Sequence, residues 1–208
     1  AKWYVEKIGI DIVSIEYVPT LPTDTSDILI RVRDKKPDFI FDTLMVDQCK
    51  VVLKDKLKLG IKIPQCTFVF SSEMVKGTVS PEAYDGYMGI QACAAWWETN
   101  VPGVQFAYEL HKKRGPIPNL TYISTVGGCM FWAQAVKNAL EKVGYDNLDG
   151  QAIYDGFHQI KNFTSMGIFK EITYYPDDHR GSKWVRITQL HKDGSVTEVS
   201  PYFEAPHN

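Results

Sequence analysis

The chain has 208 residues, 44% of them hydrophobic and 23% charged, with a net charge of −2 and a pI near 6.2. That composition fits a globular protein of one or two domains. It gives no basic patch for nucleic acid and no apolar run of about 18 residues for a transmembrane helix.

Residues 1–9 read as the last turns of a helix stopping at Gly9, with Trp3, Tyr4 and Ile8 on its apolar side. This start lacks the basic region and long apolar core of a secretion signal. Residues 12–17, IVSIEY, alternate as a strand would. After a Pro/Thr/Asp loop, Thr23 to Thr25 caps a helix lined by Ile28, Leu29 and Val32 that ends before Pro37.

The stretch Pro37 to Ser72 then spells a parallel β-α-β unit. Strands are expected near 39–43 and 66–71, with a helix near 46–59 that stops at Gly60. In such units the carboxyl ends of both strands face one edge of the sheet, where open α/β sheets bind ligands. The residues just past the strands are Asp42, Thr43, Leu44 and Met45, and Ser71, Ser72, Glu73 and Met74.

Further on, Pro81 behind Ser80 suits a helical turn, and YMGIQAC at 87–93 suits a strand. Val104 to Arg114 is amphipathic. Residues 129–143 form the clearest helix, with Gly127 and Gly128 read as a close-packed loop opening it. Asp149 to Ile160 is a further helix. Residues 168–175 and 184–191 alternate as strands, and Asp193-Gly194 before Ser195 to Val199 is a hairpin signal. The tail YFEAPHN reads as loose.

The four cysteines, at 49, 66, 93 and 129, have no metal or CxxC spacing and read as buried free thiols. GGCMFW at 127–132 is not a phosphate-loop motif. Asp177-Asp178-His179-Arg180 reads as a solvated turn, since adjacent carboxylates diverge and one histidine is a poor ligand set. Trp96 and Trp97 lie at a crossing segment, where Trp96 could stack on a ligand or simply pack. No Ser/Cys–His–acid arrangement falls at strand ends, so a hydrolase is disfavoured and no cofactor is called for. Glu73 sits where a carboxylate could hold an ammonium group, with Ser71 and Ser72 as hydrogen-bond donors.

The order of segments resembles the second half of a type I periplasmic substrate-binding protein of the leucine/isoleucine/valine-binding kind. The carrying pieces are IVSIEYVP, LPTDTSDILIRVRDKKPDFIF, LKLGI, EAYDGYMGI, FAYELHKKRGPIP, AVKNALEKVGYDNLDGQAI and GIFKEITYYPDDHRGSKWVRITQLHKDG. The resemblance implies an α/β fold: a three-layer parallel-sheet lobe from 1–94 and 166–208, helices of a second, incomplete lobe over 95–165, and a C-terminal β-hairpin. It implies the substrate-binding component of an ABC importer, periplasmic or lipid-anchored, that takes an amino acid or related carboxylate into an interlobe cleft and is not an enzyme. The implied partners are the small ligand, a membrane permease, and a missing first half or oligomer partner over the helices near 104–114 and 130–143. The implied ligand contacts are Asp42, Thr43, Met45, Ser71, Ser72, Glu73, Met74 and Trp96. The family's aromatic after the strand at 39–42 is replaced here by Thr43-Leu44-Met45. A sensing domain on the same fold is the alternative reading.

Overall fold

The computed structural model describes residues 2–68, 71–113, 119–175, 177–178 and 180–206. Two compact units divide it: residues 1–90 with 188–197, and residues 91–187 with 198–208. The chain passes from one to the other within three strands, so neither unit is a single continuous stretch.

In the first unit, β1 (Ile40–Asp42), β2 (Gln65–Thr67) and β3 (Met88–Gln91) lie side by side in parallel, with Asp42 opposite Thr67 and Thr67 opposite Gly89. The order continues to β4 (Trp184–Leu190) and β5 (Val196–Glu198). The crossover from β1 to β2 is α3 (Val46–Lys58), begun by the Met45 amide donating to the Gln48 side chain at 3.0 Å and closed at Gly60, whose φ is +64°. Its buried face, Cys49 and Leu53, packs with Val75, Tyr84, Tyr87 and Leu190. A second cluster of Leu29, Val52 and Ile61 seats α2 (Ser26–Asp34) against it. The entry of α2 is fixed by Asp55, 5% exposed, which accepts from the Thr25 amide at 2.6 Å and its hydroxyl at 2.9 Å. Short helices α4 (Ser71–Met74) and α5 (Pro81–Tyr84) complete this unit, with α1 (Lys2–Lys7) at its start.

The second unit is built on α7 (Leu120–Val143), a 24-residue helix capped by the Asn119 side chain, which accepts from the Tyr122 amide at 2.9 Å. Leu120, Ile123, Gly127, Phe131, Ala135 and Ala139 bury a stripe along it. α8 (Gly150–His158) crosses that stripe so closely that a Cβ on Gly156 would run into the Ala135 carbonyl. α6 (Pro102–Lys112) packs beside α7. Phe106, Tyr108, Leu110 and Trp132 on α6 and α7 remain between 37% and 56% exposed.

Five expectations need correction. Residues 12–17 form no strand: a strand needs a ladder partner, none of the described strands pairs with them, and Ile12, Val13 and Ile15 stay 38% to 59% exposed. Residues 168–175 touch separate partners through single bridges, Cys93 to Phe169 and Phe163 to Ile172, so no ladder propagates. Gly127 and Gly128 lie inside α7, because Phe169 and Ile168 press where a Cβ on Gly127 would stand. The tail is not loose through 203–204, where β6 (Phe203–Glu204) pairs antiparallel with Trp184 and Val185 of β4. Cys49, Cys66 and Cys93 are buried and free as expected, but Cys129 is exposed, since it faces away from the buried stripe of α7. The expected strand residues Val69 and Phe70, the helix end at Arg114 to Pro116, and His179 lie outside the described residues.

Two glycine substitutions test the helix packing. Gly156→Ala should lower unfolding stability by about 2 to 3 kcal/mol, because a backbone carbonyl cannot yield as a side chain would. Gly128→Ala, with open space at its Cβ in the same helical run, should raise it by about 0.5 to 1 kcal/mol. Urea midpoints followed by far-ultraviolet circular dichroism check both.

Candidate functional site

The carboxyl edge of the first unit is held together by one carboxylate. Asp42, 9% exposed at the end of β1, accepts from the Thr67 hydroxyl at 2.6 Å, the Gln65 amide group at 2.8 Å, the Leu44 backbone amide at 3.2 Å and the Tyr87 hydroxyl at 3.3 Å. A buried carboxylate is tolerated when its lone pairs are filled in this way. The four donors come from three pieces of chain: two from β2, one from the loop that opens α3, one from the residue ahead of β3. Asp42 therefore sets the geometry of the edge, and its oxygens are occupied from inside.

The loop that Asp42 shapes turns outward. Thr43 is exposed, Leu44 packs into the cluster around Val75, and Met45 is 68% exposed. α4 lies against α3 and β2, bringing Glu73 and Met74, both half-buried, to the same unit. The backbone of Ser71 and Ser72 belongs to α4, and their side chains lie outside the description. Of the expected contacts, then, Asp42, Thr43, Met45 and the α4 residues share one unit. Trp96 belongs to the other. It is half-buried among Tyr108 and His111 of α6 and Tyr122 of α7, with ring centroids at 5.2, 6.0 and 6.2 Å.

Residues not foreseen as part of this edge are Gln65, Thr67, Tyr87 and Lys56. Their sequence signal was faint: polar side chains at the start of an apolar strand. The Lys56 ammonium donates to Gln65 Oε1 at 3.1 Å, behind the amide that serves Asp42. Burial pushes Lys56 down to about 8, against the pull of the Asp42 charge. Burial also pushes the Cys66 thiol up to about 11 and the Tyr87 phenol far above its ordinary range. The edge therefore sets neutral donors around Asp42, with the Lys56 ammonium behind Gln65. No cluster of three or more metal-ligating side chains occurs among the described residues. Asp178 is an ion-paired turn residue, 2.9 Å from Arg180 and 3.0 Å from Lys183, and Arg180 first holds its carboxyl well below the usual carboxylate range.

Comparison with known proteins follows this geometry. A sequence profile described as periplasmic binding protein matches residues 1–195. No curated protein matches the chain. Among solved structures, an ABC transporter substrate-binding protein from Aeropyrum pernix superposes with a TM-score of 0.82 at 20% identity, covering 99% of this chain and 55% of that one. A branched-chain amino acid ABC transporter protein from Thermus thermophilus with bound valine gives 0.79 at 17% identity, covering 98% and 56%. A fatty acid ABC transporter substrate-binding protein from Thermomonospora curvata gives 0.76 at 16%, covering 98% and 52%. The chain thus shares their fold and spans about half their length.

The buried lysine gives a pH signature. Folding lowers the Lys56 pKa, so between about pH 8 and pH 10.5 the unfolded chain holds more protons and stability rises with pH. Cys66, with its pKa raised, works in the opposite sense above the ordinary thiol range. The difference between wild type and Lys56→Met isolates the lysine. The variant's relative advantage should be largest below pH 8, on the order of 2 kcal/mol, and shrink toward pH 10.5. Chemical denaturation at stepped pH measures it.

Proposed function

The chain belongs to the periplasmic binding protein family, and on that premise we propose that it is part of the substrate-binding component of an ABC importer. In this reading it captures a small polar or amphipathic ligand, an amino acid or related carboxylate, and hands it to a membrane permease from the periplasmic side. It performs no catalysis. No described helix is long and apolar enough to cross a membrane.

The observation that carries the reading is the division of labour at the carboxyl edge of β1 and β2. Asp42 is consumed by Thr67, Gln65, Tyr87 and Leu44. Thr43 and Met45 are exposed at the same edge, and we take them, with the α4 residues Ser71 to Met74, as the proposed ligand-facing residues. Such a split, a rigid internal charge behind a polar and thioether surface, suits a pocket that must be preorganised and selective at once. Glu73 is the carboxylate proposed to take an ammonium group. The Thermus thermophilus structure is described with bound valine, and the Thermomonospora curvata one as a fatty acid ABC transporter substrate-binding protein. The Thr43-Leu44-Met45 floor, with a flexible thioether where an aromatic would be rigid, points away from a plain branched-chain amino acid. Trp96 is proposed as a contact from the second unit. By the same reading, 1–94 with 166–208 and 95–165 belong to the two lobes of the family fold.

Glu73→Ala in the full-length protein should weaken binding of an amino-acid ligand at least about tenfold while leaving the melting temperature unchanged. Isothermal titration across the amino acids measures it, and unchanged affinity for every ligand bound would remove Glu73 from the site. Asp42→Ala should behave differently. It leaves Thr67 and Gln65 without their buried acceptor, so it should cost about 3 kcal/mol of stability, read by urea denaturation without any ligand.

A further inference from the structure

Trp96, the contact proposed from the second unit, is not held by a hydrogen bond of its own. Its Nε1 is buried and donates to none of the described residues, which a buried indole rarely does. Two things set the ring. One is packing against Tyr108, His111 and Tyr122. The other is the tight turn Ala95-Trp96-Trp97-Glu98, with a tryptophan at both central positions. The Glu98 amide closes it by donating to the Ala95 carbonyl at 3.0 Å.

The same turn is closed a second time by a side chain. Glu98 Oε2 accepts from the Ala95 amide at 2.6 Å, so the carboxylate spans the turn that carries both rings. That carboxylate is itself held. Arg186, 5% exposed on β4, sends Nη1 to Oε1 at 3.1 Å and Nη2 to Oε2. The guanidinium lies 4.8 Å from the centre of the Tyr202 ring, and Glu198 stands 3.9 Å from Nη1. All of these residues lie within the second unit. A fork onto a carboxylate fixes its plane as well as its place, which a point charge does not. Buried ion pairs add little to stability when compared with apolar substitutes. What this pair supplies is a fixed geometry for Glu98, and through Glu98 for the turn.

We infer that Arg186 is a positioning residue for Trp96: through Glu98 it holds the turn of residues 95–98 in one conformation and so fixes the orientation in which the indole is presented to a ligand. This deepens the reading of Trp96 as a contact and rests on it. The orientation itself is read with no ligand present, so failure of Trp96 as a contact leaves the positioning standing, and failure of the positioning leaves the contact standing.

The test is fluorine NMR of the full-length protein labelled with 5-fluorotryptophan, the Trp96 signal being assigned by its loss in Trp96→Phe. Arg186→Met removes the fork, and Glu98→Gln sets an amide N–H against the guanidinium. Each should displace the Trp96 signal and broaden it about twofold, while the signal of Trp132 on α7 stays in place. Lys170→Met removes an exposed ammonium 5.0 Å from the centre of the Tyr202 ring without touching the turn, and should move neither signal. In isothermal titrations across the amino acids, Trp96→Ala and Arg186→Met should weaken binding by similar factors, about tenfold, and the double variant should go no further than either alone. If Trp96→Ala changes no affinity, the spectra alone decide. Circular dichroism melts establish that each variant is folded, and should Arg186→Met fail to fold, Glu98→Gln takes its place in both measurements. Three results overturn the positioning role: an unmoved Trp96 signal in the folded variants, equal movement in Trp132 or in the Lys170→Met control, or unchanged affinity in Arg186→Met where Trp96→Ala loses it.

Discussion

A carboxylate buried in the edge of a sheet is the constraint on which the first unit depends. Asp42 loses its water on folding, and only converging donors make that tolerable. The parallel register places Asp42 opposite Thr67, and the Gln65 amide and Tyr87 hydroxyl complete the shell. Each donor thereby becomes a condition on the next element: β2 must lie at this register, Tyr87 must precede β3 at this depth, and the Leu44 amide must turn inward. That last bond settles how the chain leaves β1 and so what the loop displays. What this edge displays is thus set by a residue whose own oxygens are filled from inside.

The second unit solves a different problem. α7 and α8 approach at backbone distance, which small residues allow: Gly156 on one helix against Ala135 and Ala139 on the other. Asn138 donates to the Gly156 carbonyl at 3.0 Å, filling an acceptor that the close crossing would otherwise strip of water. Around this contact the aromatic rings of Phe131, Phe157 and Tyr174 fill the volume at centroid distances of 5.3 to 5.9 Å. Close contacts at the backbone and large rings outside them make a densely packed body.

Much of this was legible in the residues themselves. Period and punctuation located α2, α3, α5, α6, α8 and the hairpin of β4 and β5, because Gly60, Pro81 and Gly194 act locally. The failures share a cause. Alternation at 12–17 and 168–175 promised strands, but a ladder is a property of two segments and one sequence run shows only half of it. Gly127 and Gly128 resemble a break until Ile168 and Phe169, far along the chain, are seen to require the small residue. For the edge itself, its place past β1 and β2 was readable from the β-α-β order. That Asp42 faces inward was not, since only the register pairs it with Thr67.

The interleaving of the two units also bears on the order in which this protein can be made. Leu190 is 2% exposed in the same cluster as Cys49 and Leu53, and Val196 packs against it. The first unit therefore lacks part of its interior until residues 188–197 have been made. During synthesis its early strands wait with their apolar side chains uncovered while the second unit is threaded out between. A chain that stops short of residue 188 lacks Leu190 and Val196, and so leaves the cluster around Cys49 and Leu53 open.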